Sequence, residues 1–93
     1  MMPRMIRKTV LYSGRVQGVG FRYATLTESR DHDVTGYVRN LEDGRVEVVV
    51  EGEREQVDAF LAGLSGRMGD YIDDVQQSEN PTPGHFQNFE IRY

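Results

Sequence analysis

The stretch Gly14-Arg15-Val16-Gln17-Gly18-Val19-Gly20-Phe21-Arg22 constrains what this chain can fold into more than any other. Its glycines follow an apolar run, Thr9-Val10-Leu11-Tyr12, and precede residues able to form a helix. Glycine accepts positive φ and carries no side chain, so such a loop can turn backbone N–H groups inward around an anion. A helix starting near Arg22 adds its own unpaired N–H groups and the positive end of its dipole. Arg22 brings a permanent charge with a flat, forked donor array. By itself the stretch fits both a phosphate or carboxylate cradle and an ordinary strand-to-helix turn with an exposed arginine. The helix dipole weighs toward the cradle, because its positive end is a poor place for a cation unless an anion joins it.

Around this loop the periodicity predicts alternating strands and helices. Arg7 to Tyr12 reads as a strand, with Val10 and Tyr12 on one face. Arg22 to Asp33 reads as a helix chiefly by position, since Ala24 and Leu26 are most of its apolar content, and Asp33 is expected to close it in the left-handed conformation. Val34 to Asn40 is a second strand, and Leu41-Glu42-Asp43-Gly44 is a tight reversal. Arg45 to Glu51 is the clearest strand, with Val46, Val48 and Val50 on one face and charged Glu47 and Glu51 on the other. Glu53 to Leu64 is the clearest helix, its stripe being Val57, Phe60, Leu61 and Leu64, with acidic residues in its first turn. Gly63, Gly66 and Gly69 are expected to loosen the chain beyond that helix. Tyr71 to Ser78 is a weak strand, Asn80 to Gly84 a loop, and Phe89, Ile91 and Tyr93 mark a short last strand.

This order is a βαββαβ pattern plus a short C-terminal strand. Right-handed crossovers leave one economical arrangement, a ferredoxin-like α/β sandwich with two helices on one face of a single sheet. No repeat, linker or low-complexity tract divides the chain, so residues 1–93 are read as one domain. The proportions, 28% charged and 38% hydrophobic, belong to soluble globular chains.

Composition removes several function classes. No cysteine is present, so thiol nucleophiles, thiolate metal sites and disulfides are excluded. The only histidines, His32 and His85, are far apart, and no metal is expected. A formal net charge of −4 argues against nucleic acid as a partner, while arginines cluster before residue 46 and Asp70, Asp73, Asp74 and Glu79 make the later part acidic. A small anion held by a few arginines suits that distribution. The N-terminal stretch Met1 to Lys8 lacks the apolar core of a signal peptide and nothing later is long enough to span a membrane, so a cytoplasmic protein is expected.

A second cluster, Gly36-Tyr37-Val38-Arg39-Asn40, ends the second strand, with Gly44, Val46 and Gly52 after it. In the sandwich, the first and second strands point the same way, which brings Asn40 toward Arg22. An asparagine is uncharged and both donates and accepts. Beside a bound phosphate it can hold a water without repelling the anion; on its own it is equally a turn residue opening a hairpin.

Val16, Gly18, Val19, Phe21 and Arg22 fit the pattern V-x-G-V-x-F-R, and Gly36 to Asn40 with Gly44, Val46 and Gly52 fit G-(aromatic)-V-(basic)-N-x-x-x-G-x-V followed by a further glycine. Together these resemble the two signatures of the acylphosphatase family. The likeness runs from about Thr9 to Gly52 and returns faintly in the second helix and the Phe86, Phe89, Ile91 ending. The resemblance implies hydrolysis of small acyl phosphates to carboxylate and inorganic phosphate, without metal or cofactor. It implies that Arg22 binds the phosphate and that Asn40 positions the attacking water. It further implies a phosphate loop of Arg15, Val16, Gln17, Gly18, Val19 and Gly20 acting through backbone N–H groups. Phe21, next in the substrate-binding stretch, reads as core or cradle-wall packing rather than a substrate stacker. Departures from the pattern fall on packing: Tyr37 stands where Trp is usual, His32 and Asp33 replace Leu-Gly, and Gln77 interrupts the fourth strand.

Other readings compete. One is a non-catalytic anion-binding module on the same scaffold. Another is an RNA-recognition module, suggested by Gly18 to Tyr23, although such modules carry their aromatics on a central strand and not in a loop before a helix. A monomer is expected.

Overall fold

The computed structural model describes residues 5–93; part of the N-terminal stretch considered for a signal peptide, residues 1–4, lies outside the described residues. Three valines organise the centre. Val46, Val48 and Val50, all fully buried, project from strand β3 (Val46–Glu53) into the core. β3 is the middle member of a five-stranded sheet, flanked by β1 (Met5–Gly14) on one side and β2 (Thr35–Asn40) on the other. β4 (Ile72–Pro81) closes the β1 edge and β5 (Phe89–Arg92) the β2 edge, giving the order β4-β1-β3-β2-β5. All pairings are antiparallel except β2 with β5.

Helix α1 (Phe21–Ser29) packs on β2 and β5, helix α2 (Arg54–Met68) on β1 and β3, and the two helices touch each other. The core between helices and sheet holds Ile6, Val10, Tyr12, Val38, Phe60 and Leu64 with the three valines. This is the ferredoxin-like arrangement expected from the order of elements.

Several expectations need correction. α1 ends at Ser29, not Asp33, and Arg30 to Asp33 form turns. Among the described residues no residue other than glycine has positive φ, so Asp33 does not take the left-handed conformation. The turns instead satisfy the helix end with tight bonds, Asp31 N–H to the Glu28 carbonyl at 3.1 Å and His32 N–H to the Ser29 carbonyl at 3.3 Å. The polarity of α1 also has its explanation. Its inward face is partly polar and satisfied: Thr25 Oγ1 donates to the Phe21 carbonyl at 2.8 Å, and Glu28 meets both Arg67 Nε and His32 Nε2 at 2.7 Å.

α2 does not loosen after Leu64 but runs through Gly63 and Gly66 to Met68. Gly63 marks the crossing with α1, where a Cβ would overlap the Glu28 carboxylate. β4 continues through Asn80 and Pro81, which were expected in a loop. It is an edge strand with exposed side chains, held by main-chain bonds to β1, so it needs no alternation of apolar residues. Glu51 lies on the face opposite the three valines, as the alternation implies, yet it does not meet solvent. It is fully buried, because the segment after β4 folds back over it: Thr82 Oγ1 donates to Glu51 Oε2 at 2.9 Å and the His85 N–H to Oε1 at 2.6 Å. Arg7 completes the cluster through Nε at 2.8 Å.

Candidate active site

The register of the sheet decides which loops meet. Tyr12 of β1 pairs with Val46, and Asn40 of β2 pairs with the same Val46 from the other side. The loop leaving β1 and the end of β2 therefore stand at one end of the sheet, about two strand spacings (~10 Å) apart. Gln17 closes that gap. Its Nε2 donates to the Leu41 carbonyl at 2.8 Å and to the Arg45 carbonyl at 3.0 Å, fastening the glycine loop to the base of the β2–β3 hairpin.

Within the loop, Gly18 and Gly20 have φ of 78° and 81°. A Cβ at either would meet open space, so the backbone conformation and not crowding calls for glycine. Gly20 is the N-cap of α1 and accepts from the Ala24 N–H at 2.9 Å. At the other end, the Arg15 N–H donates to the Tyr71 carbonyl at 2.9 Å. Between those two bonds, no main-chain N–H of residues 16–23 finds a main-chain acceptor among the described residues. The first helical turn leaves such donors open in any case.

A hollow of about 170 Å³ lies against this run, lined by Val16, Gly18, Gly20, Phe21, Arg22, Tyr23 and Asn40. Arg22 and Asn40 thus share one concavity. No carboxylate pairs with Arg22 among the described residues. Its guanidinium lies 4.9 Å from the centre of the Tyr93 ring, a cation–π distance. Asn40 Oδ1 is buried and meets no donor among the described residues. A buried acceptor left so costs about 1–3 kcal/mol, the kind of local expense associated with functional sites.

Of the residues expected at the site, Val16, Gly18, Gly20, Phe21, Arg22 and Asn40 come together. Gln17 acts from behind as the brace, and Val19 sits between the two lining glycines. Arg15 does not line the hollow: its N–H is committed to Tyr71 and its guanidinium lies 5.9 Å from the Tyr71 ring centre. Phe21 is a wall, buried and packed 5.0 Å from the Tyr12 ring. Tyr37 packs as well, donating to Glu47 Oε1 at 3.0 Å beneath Arg92. Tyr23 and Tyr93 were not expected at the site, because residues beside a hollow obey no periodicity.

A larger hollow of about 700 Å³ lies between Met5, Ile6, Arg54, Glu79, Pro81 and Thr82. Its charges are already matched, Arg54 Nη1 to Glu79 Oε1 at 2.7 Å. Among the described residues no three His, Asp or Glu side chains gather as metal ligands, and no helix is long and apolar enough to cross a membrane.

Fold and site define a ferredoxin-like sandwich with an arginine-bearing glycine loop and an asparagine at one end of its sheet. Residues 8–91 match the family model described as Acylphosphatase. The chain belongs to the acylphosphatase family. It is 44% identical to an acylphosphatase of Syntrophotalea carbinolica over 95% of this chain and 97% of the relative. To an acylphosphatase of Bacillus licheniformis it is 40% identical over 96% of this chain and all of the relative. The crystal structure of acylphosphatase from Bacillus subtilis superposes with a TM-score of 0.85 at 29% identity, covering 95% of this chain and 99% of that one.

Proposed function

We propose that the chain hydrolyses the carboxyl–phosphate bond of small acyl phosphates by in-line attack of a water held by Asn40 on a phosphoryl group held by Arg22 and the glycine loop. The observation that carries this reading is the buried, donorless Oδ1 of Asn40 in the same hollow as the Arg22 side chain. An acceptor in that position takes a hydrogen from a water and aims its lone pair, while the free N–H groups of residues 16–23 and the guanidinium take the phosphoryl oxygens.

The chemistry asks for little else. Phosphoryl transfer passes largely through a loose transition state, so alignment and charge stabilisation matter more than a strong base. A carboxylate leaves readily, and the phosphoryl oxygens themselves take the water's proton. In this reading residues 1–93 act as one monomeric domain in the cytoplasm, with no cofactor and a small-molecule substrate.

The test is turnover of acetyl and benzoyl phosphate in the presence of a chelator, comparing the protein with Arg22→Gln and Asn40→Ala at equal folded fraction. Each substitution is expected to raise the barrier by about 3 kcal/mol, roughly a hundredfold, as for a single oxyanion donor. Tight phosphate binding without turnover in the unsubstituted protein would favour a non-catalytic anion-binding module instead.

A further inference from the structure

Four large apolar side chains are exposed among the described residues: Val19 at 37%, Tyr23 at 67%, Val75 at 40% and Tyr93 at 91%. One of the four lines the hollow and two more adjoin residues that do. Tyr23 lines it, Val19 sits between the lining glycines Gly18 and Gly20, and the Tyr93 ring lies against Arg22. Single exposed apolar residues need no explanation, but their gathering beside one anion-sized concavity does. Tyr23 is mostly exposed and joins no aromatic pair among the described residues, which leaves its ring available to a ligand.

Size adds the second half of the inference. At about 170 Å³ the hollow falls well below the ~300–1,000 Å³ of sites that enclose a whole ligand. A phosphoryl group and its water fill such a space, and the acyl part stays outside, at the collar.

We propose that Tyr23 and Tyr93, with Val19, form an apolar collar that selects acyl phosphates bearing an aryl acyl group over those bearing a small one. This rests on the hydrolase reading for the site beneath it. A flat acyl group leaving the hollow meets the open face of Tyr23, and offset or edge-on ring contacts are favourable there.

The experiment measures binding and turnover separately. Benzoylphosphonate and acetylphosphonate, which cannot be hydrolysed, are titrated by calorimetry against the protein, Tyr23→Ala and Tyr23→Phe, while benzoyl and acetyl phosphate turnover is followed in parallel. The protein is expected to favour benzoylphosphonate. Tyr23→Ala is expected to reduce that preference about three- to tenfold, the worth of one aromatic contact, and Tyr23→Phe to keep it. A preference unchanged in Tyr23→Ala, or none in the unsubstituted protein, overturns the collar. If the preference is present and lost in Tyr23→Ala while neither acyl phosphate turns over, the collar stands and the hydrolase reading falls. If both acyl phosphates turn over and the preference ignores Tyr23, the reverse holds. Circular dichroism checks folding, which an exposed side chain such as Tyr23 should not disturb.

Discussion

Gln17 and Leu41 are joined across the end of the sheet, the Gln17 side-chain amide donating to the Leu41 carbonyl at 2.8 Å and sharing itself with Arg45. The bond ties the loop that leads into Arg22 of α1 to the hairpin that begins after Asn40. Both carbonyls have other donors, since Gly44 N–H reaches Leu41 at 3.2 Å and Leu41 N–H reaches Arg45 at 2.8 Å. Gln17→Ala therefore strands no buried acceptor. Stability should fall by about 1 kcal/mol at most. Acyl phosphate kcat/KM should fall by about tenfold or more, because small displacements of a positioning loop are costly to catalysis. Parallel kinetics and urea unfolding check the separation of the two effects.

Asn40→Ala should separate them in the other direction. The substitution removes a buried acceptor that has no donor within the described protein. Urea unfolding is expected to show stability equal to or slightly above the parent, while acyl phosphate turnover collapses. A large loss of stability would contradict the view that Oδ1 serves the ligand side of the hollow.

Gly36→Ala should damage the sheet itself. Gly36 has φ of 144°, and a Cβ there would overlap the Val49 carbonyl of β3. A backbone carbonyl in the middle of a sheet cannot give way like the tip of a side chain. A loss of about 2 kcal/mol or more is expected, read as a lowered urea midpoint with an unchanged slope.

Glu51 should make part of the stability depend on acid. Burial pushes its carboxyl up, but the His85 N–H, the Arg7 guanidinium and the Thr82 hydroxyl push it lower, and the net is a value below the ordinary one. A carboxylate depressed on folding contributes stability that is fully present above its unfolded value, about 4.3. That stability is lost as pH falls through the folded value. Glu28, Glu79 and Asp43 are lowered as well, so the parent's acid loss is shared among them. The difference between the parent and Glu51→Gln isolates this group: it should be level from pH 7 to pH 5 and shrink below about pH 4. A difference independent of pH would remove Glu51 from the account.

The parts legible in sequence were those governed by local pattern. Val46, Val48 and Val50 announced the central strand, and Val57, Phe60, Leu61 and Leu64 announced α2, since each stripe faces one core. Arg22 and Asn40 were legible as candidates because their neighbours form two signatures, and the register through Val46 brings their segments to one end of the sheet. The features that escaped were decided by distant contacts. Glu51 alternates like a surface residue, but the segment around Thr82 and His85 covers it. Gly63 looked like a break, yet it answers to the Glu28 carboxylate on another helix. Arg15 shared the loop's sequence with its neighbours while its N–H went to Tyr71.

Because Val46 stands between Tyr12 and Asn40, the two halves of the candidate site cannot meet by contacts within either one's own neighbourhood in the chain. The valine strand must first slot between two segments that would otherwise drift apart, and the entropy of closing those spans precedes any reward. Enzyme activity regained after dilution from denaturant is thus a clock for the completion of the middle of the sheet. It should lag behind helix signals, which report only local winding.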